Sequence, residues 1–109
     1  MKSAGNISLD HIAINVSDID TAVEWYSDYF DVTVAYQDDT LAMLHIAGGS
    51  LKLALTVASE HPPHVAFRVD DICDFPIGAE IKQHRDGSQY YYARDPDGNT
   101  VEWVCYKQN

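Results

Sequence analysis

Residues 11–20 read HIAINVSDID, and residues 64–73 read HVAFRVDDIC. The two segments lie 53 residues apart, close to half of the 109-residue chain. His11/His64, Ala13/Ala66, Val16/Val69, Asp18/Asp71 and Ile19/Ile72 are identical pairs. Ile12/Val65 and Ile14/Phe67 are apolar in both copies. One duplication explains this pattern better than a solenoid, which needs more copies. Each copy opens with strict alternation, the mark of a strand with two distinct faces. Ile12, Ile14 and Val16 share one face, while His11, Ala13 and Asn15 share the other. Val65, Phe67 and Val69 likewise oppose His64, Ala66 and Arg68. Both histidines therefore open equivalent strands, on the face opposite the apolar set.

Outward from the first copy, Asp20 is the expected N-cap of a helix. Ala22/Val23, Tyr26 and Tyr29/Phe30 continue it at helical spacing. Strand-like segments follow at 32–37, 41–47 and 50–57, with turns at Asp38-Asp39 and Gly48-Gly49. Glu60-His61-Pro62-Pro63 reads as a linker. After the second copy, Pro76 leaves room for little more than one helical turn. Strands are expected at 79–84, 88–94 and 99–106, separated by Asp86-Gly87 and by the type I turn Asp95-Pro96-Asp97-Gly98. The reading is an α+β chain of two βαβββ modules, 8–57 and 63–106, in a single domain spanning 1–109.

Composition narrows the function. Seventeen acids against seven Lys and Arg give a net charge of -10. Nucleic acid and anionic membranes both need a basic patch, so neither is an expected partner. Two cysteines without a C-x-x-C exclude a disulfide scaffold and a cysteine zinc knuckle. No leader-like or membrane-spanning apolar run occurs, so a soluble, cytoplasmic protein is expected.

The five histidines are unusual in so acidic a short chain. The closing strand puts Val101, Trp103 and Cys105 on the face that reads as more buried, and Glu102 on the other with Val104 and Tyr106. If both halves fold alike, His11, His64 and Glu102 can meet on one concave surface. Two imidazoles and one carboxylate with open positions form a ligand set for non-haem iron and related divalent metals. Open positions let substrate oxygens be bound and polarised. His45 shares parity with Met43 and can line the same cavity, while His61 and His84 fall in a linker and near a turn and receive no role.

The paired H-[IV]-A-x-x-V-x-D segments and the closing DPDGNTVEW, residues 95–103, resemble the vicinal oxygen chelate superfamily. That group includes glyoxalase I, extradiol dioxygenases, fosfomycin-resistance thiol transferases, methylmalonyl-CoA epimerase and bleomycin-binding proteins. The resemblance covers roughly residues 8–106. It implies a curled mixed sheet around a concave site, with His11, His64 and Glu102 as ligands of one divalent metal, Fe(II) or Mn(II), with nickel or zinc as alternatives. It also implies a homodimer acting on a small-molecule substrate.

Departures from the pattern sort the activities. Glyoxalase I and the epimerase take a further Glu or Gln ligand from the strand closing the first module. Here that slot is Ala54, or Lys52 with a two-residue slip, and neither replaces a carboxylate or amide. Extradiol dioxygenases carry an active-site tyrosine on the strand before the final turn, where this chain has Tyr92. Fosfomycin transferases carry threonine where Ala13 stands, and take a phosphonate-binding arginine from a C-terminal extension; residues 107–109 hold none. Bleomycin-binding proteins generally lack the metal ligands. The expectation is a metal-dependent, dioxygenase-like or lyase-like enzyme with Tyr92 as its catalytic phenol. Asn15, His45, Ala54, Arg68 and Tyr90 are expected on the substrate side. A non-catalytic binder of drugs or aromatics and a fosfomycin-type transferase are the alternatives.

Overall fold

The computed structural model describes residues 7–46 and 51–106. Within them lie eight strands, one α-helix and one 3₁₀ turn, an α+β composition. The expected Gly48-Gly49 turn falls outside the described residues. The chain forms two compact units, His11–His64 and Val65–Asn109 with Met1–Asp10.

In the His11–His64 unit, strand β1 (Ser8–Asn15) enters and leads to helix α1 (Ile19–Tyr29). Strands β2 (Val32–Gln37), β3 (Leu41–Ile46) and β4 (Lys52–Thr56) follow. The spatial order is β2-β3-β4-β1. β1 and β4 run parallel, and the other pairs are antiparallel. Asp18, not Asp20, is the N-cap: its backbone is extended and its carboxylate accepts from Thr21 N at 2.8 Å. Asp20 lies inside the first turn, where its charge still complements the positive helix end. The repeat holds the reason, since Asp18 is the residue matched by Asp71.

Ile19 and Val23, one turn apart, fix the buried stripe of α1. They pack with Ala42, Leu44 and Leu55, and with the half-buried Ile14 and Leu53. The expected apolar face of β1 is therefore the helix-covered face only from Ile14 onward. Ile12, nearer the strand start, is 36% exposed. His11 and Ala13, on the opposite face, are buried.

The other unit takes up β5 (His64–Arg68) from its second residue, Val65, and β5 leads to a 3₁₀ turn at Ile72–Asp74. Strands β6 (Lys82–Gln83), β7 (Gln89–Arg94) and β8 (Thr100–Cys105) complete it. The order is β5-β8-β7-β6, with β5 and β8 parallel. Asp71 caps the 3₁₀ turn by accepting from Cys73 N at 2.9 Å, matching Asp18. The strand expected over 79–84 shrinks to two residues. The bond from Ala79 N to Pro76 O and the positive φ of Gly78 (83°) use the preceding residues as a turn. The Asp95–Gly98 turn forms as expected, closed by Gly98 N to Asp95 O at 3.0 Å, with Gly98 at φ 89°.

Val69, Phe75 and Cys105 form this unit's apolar core, with Ile72, Tyr91 and Trp103 partly buried against it. Glu102 and Val104, on the other face of β8, are 1% exposed. The expectation that Val101, Trp103 and Cys105 form the more buried face is thus corrected. A three-residue turn covers too little of that face to bury Val101 or Trp103 fully.

Candidate functional site

His11 and His64 are brought together inside one unit. Both are buried, and their Nε2 atoms lie 3.0 Å apart with the rings edge-on at 75°. His64 opens β5, whereas β1 begins three residues ahead of His11, at Ser8, so the expectation that both histidines open their strands holds for His64 alone. His64 Nδ1 lies 2.8 Å from Pro62 O. A carbonyl can only accept, so Nδ1 carries the hydrogen and the neutral ring presents its Nε2 lone pair. This is the outer-sphere arrangement that orients metal-binding imidazoles.

The donor pair fits a divalent ion. Metal–nitrogen bonds of about 2.1 Å at a right angle set two nitrogens about 3.0 Å apart; a tetrahedral angle needs about 3.4 Å. The observed 3.0 Å fits two neighbouring ligands of one ion and equally fits a single N–H···N hydrogen bond. Two protonated imidazoles at this distance would repel strongly, whereas a shared cation or a single N–H···N bond would not.

Cross-strand register shows what stands beside the pair. His11 is paired with Lys52, and Lys52 with His45. Directly paired residues present their side chains to one face. The next row is Ala13, Ala54 and Met43, and Asn15 pairs with Thr56. His45 and Ala54 thus share the sheet face of His11. Asn15 Nδ2 donates to Thr56 Oγ1 at 2.9 Å and to His61 O at 3.0 Å, tying β1 to the linker.

The other unit holds Glu102. Its carboxylate is buried, and Oε2 lies 2.6 Å from His84 Nε2. Glu102 pairs in register with Ala66 on β5 and with Tyr92 on β7. Burial, Glu102's charge and neighbouring Tyr90 push the Tyr92 phenol well above the ordinary tyrosine range. It is therefore a hydrogen-bond donor at neutral pH. Tyr90 stacks on His84 at 3.7 Å between nearly parallel rings and meets Tyr92 edge-on at 5.2 Å. Arg68 lines a cleft with Val69, Asp70 and Tyr106, its guanidinium 4.9 Å from the Tyr106 ring centre. The Tyr106 hydroxyl donates to buried Asp10 at 2.7 Å. Burial and that bond hold the Tyr106 phenol protonated.

His84 is the residue that sequence reasoning missed. It lies outside the repeated segments, beside the Asp86-Gly87 turn, and reads as turn surface. The turn closed by Gly87 N to His84 O and the ladder bond from His84 N to Ser88 O set it at the base of the β6–β7 hairpin. The signal lay in strand parity: Tyr90, Tyr92 and Glu102 share one face, and the hairpin returns His84 to it.

No curated protein sequence matches the chain. Solved structures share its fold. Methylmalonyl-CoA epimerase from Mycobacterium tuberculosis superposes with a TM-score of 0.77 at 19% identity, covering 99% of this chain and 94% of that one. A variant of the Streptomyces coelicolor methylmalonyl-CoA epimerase, in complex with 2-nitronate-propionyl-CoA, gives 0.68 at 23% identity, covering 92% and 97%. A Legionella pneumophila structure described as an NAD-dependent benzaldehyde dehydrogenase gives 0.63 at 21%, covering 89% and 98%. At these identities the likeness speaks for the fold alone. Residues 8–103 match the family model of the Glyoxalase/Bleomycin resistance protein/Dioxygenase superfamily, and with both repeated segments and Glu102 inside that match, the chain belongs to this superfamily.

Proposed function

We propose that the chain is a small metal-dependent enzyme whose His11, His64 and Glu102 hold one divalent metal. The observation that carries this reading is the pair of buried imidazole nitrogens 3.0 Å apart, with His64 oriented by Pro62 O. The two-histidine, one-carboxylate donor set suits Fe(II) or Mn(II), with nickel or zinc as alternatives. In this reading the modules 8–57 and 63–106 form one domain, a mixed sheet curled around a concave site. The bound metal supplies Lewis acidity to two neighbouring oxygens of a small organic substrate.

The protein's own groups do the rest. His84 holds the Glu102 carboxylate by its Oε2. Tyr92, one strand away, donates a hydrogen bond to a developing oxyanion. Asn15, His45, Ala54, Arg68 and Tyr90 complete the substrate side. With Ala54 on β4 in place of a further oxygen donor, a dioxygenase-like or lyase-like reaction suits the centre better than an epimerase's. A homodimer fits the exposed apolar side chains Leu9, Ile12 and Phe67.

The aromatic set Tyr90, Tyr92 and His84 favours a second reading, a non-catalytic binder of planar molecules on the same fold. A fosfomycin-type transferase is a third, and Ala13 in place of threonine weighs against it. Metal content separates the first two. Protein purified without chelator or polyhistidine tag carries about one divalent ion per chain, as a two-His, one-carboxylate site requires. Glu102→Ala loses that metal. A variant that keeps it contradicts the reading, and a wild type without metal favours the binder.

A further inference from the structure

Helix α1 ends in four aromatic residues, Trp25, Tyr26, Tyr29 and its C-cap Phe30. Tyr26 packs against the core of the His11–His64 unit. The other three turn outward: Trp25 is 50%, Tyr29 68% and Phe30 55% exposed. The Trp25 ring lies 4.8 Å from that of Tyr29 and 6.1 Å from that of Phe30, so they form one continuous surface. At the usual area of an aromatic side chain they leave roughly 300–400 Å² open, the size of the largest and often functional patch on a monomer. A single exposed ring is ordinary; packed rings that keep half or more of their surface in water are not.

The charges beside the rings indicate the partner. Asp20, Glu24 and Asp28 are spaced four apart and form a row along the helix. Trp25 and Tyr29, also four apart, form the adjoining row, and Asp31 follows the helix end. Glu24, Asp28 and Asp31 are exposed and have no ion-pair or hydrogen-bond partner among the described residues. The helix contains no Lys, Arg or His. The row works against its own element. Like charges four apart repel, and Asp28 stands in the last turn, at the negative end of the helix dipole. Residues that break the local rules of their element mark the places where function is expected. A second copy of this chain is the poorer occupant. It brings another acidic row, and the patch is about half of the ~800 Å² that each partner of a stable dimer buries.

We propose that the outer face of α1 docks a short basic segment of a partner protein. Its cationic side chains lie over the Trp25, Tyr29 and Phe30 rings, and their charges meet Glu24, Asp28 and Asp31. Arginine suits the face better than lysine, because a planar guanidinium both stacks on a ring and forks to a carboxylate. This docking face goes beyond the metal reading and does not depend on it.

The test uses the full chain and two twelve-residue peptides. One is built of Arg-Gly repeats; the other has citrulline at every arginine, which keeps the planar head without its charge. Calorimetry and NMR titration of the amide and indole N–H signals follow binding. The arginine peptide should bind one per chain, shifting α1 and the Trp25 indole above all other signals, and the citrulline peptide should not bind. Trp25→Ala/Tyr29→Ala leaves the net charge at -10 and should weaken the arginine peptide about tenfold or more. Glu24→Gln/Asp28→Asn should also weaken it while raising the melting temperature, because it relieves the like-charge row. No binding by wild type overturns the proposal. So does undiminished binding by either double variant, or shifts spread evenly over the acidic surface. A wild-type dimer that falls to monomers in Trp25→Ala/Tyr29→Ala, seen by sedimentation, assigns the face to a second copy and overturns it as well.

Discussion

The two repeated segments begin alike and end differently. Each supplies a strand that carries a buried histidine and continues to an aspartate N-cap, Asp18 or Asp71, in the same extended backbone. Beyond the cap the copies part. The first builds an eleven-residue helix with a buried Ile19/Val23 stripe; the second builds three residues of 3₁₀ turn before Pro76. The consequence lies in burial. Under the helix Leu44 and Leu55 are fully buried, whereas beside the short turn Trp103 and Tyr91 are only partly covered. In the second unit the polar face of β8, with Glu102 and Val104, is the better buried one. The duplicated histidines sit on the strands ahead of the caps, so one half can lose most of its helix without losing its buried histidine.

The largest expected effect tests that difference in covering. Leu55→Ala should cost about 2–5 kcal/mol of stability in urea unfolding, the range for deleting a fully buried leucine. Val101→Ala, on the half-covered face, should cost about 1 kcal/mol. Equal losses would break the contrast between helix and turn.

Next comes the asymmetry that the repeat does not supply. His84→Ala should weaken metal binding about 10- to 100-fold, the usual effect of removing a residue that orients a ligand. His84→Gln, which can still donate to Glu102, should recover part of it. Unchanged affinity in His84→Ala would reduce His84 to a hairpin residue.

The smallest effect concerns the caps. Asp18→Ala should lower the melting temperature more than Asp71→Ala, because Asp18 closes a longer element. The bonds from Thr21 hold the Asp18 carboxyl below its ordinary value in the folded state. In the acid window the unfolded chain therefore binds the extra proton. The stabilisation is complete above the unfolded value, about 3.9, and is lost as pH falls through the folded one. Asp18→Ala should flatten that part of the stability profile; an unchanged acid limb would show that the cap carries no such linkage.

Much of this was legible in the chain. The repeat gave the matching strands and paired histidines, and alternation put Glu102 on its face of β8. Local chemistry marked the Asp95–Gly98 turn. What stayed hidden depends on partners distant in sequence. Asp20 and Asp18 are both good caps by type, and the backbone of the turn decides between them. Lys52 beside His11 follows from the parallel β1–β4 register, which closes only after the helix and two further strands. His84 meets Glu102 through a hairpin whose first strand has two residues, too short to show a period.

The most direct measurement is anomalous diffraction at the manganese edge from crystals of the Mn(II)-soaked protein. A metal centre built from the repeated histidines predicts one strong peak about 2.1–2.2 Å from both Nε2 atoms of His11 and His64 and from a Glu102 oxygen. A peak elsewhere, or His11 and His64 in contact with no metal between them, would contradict it.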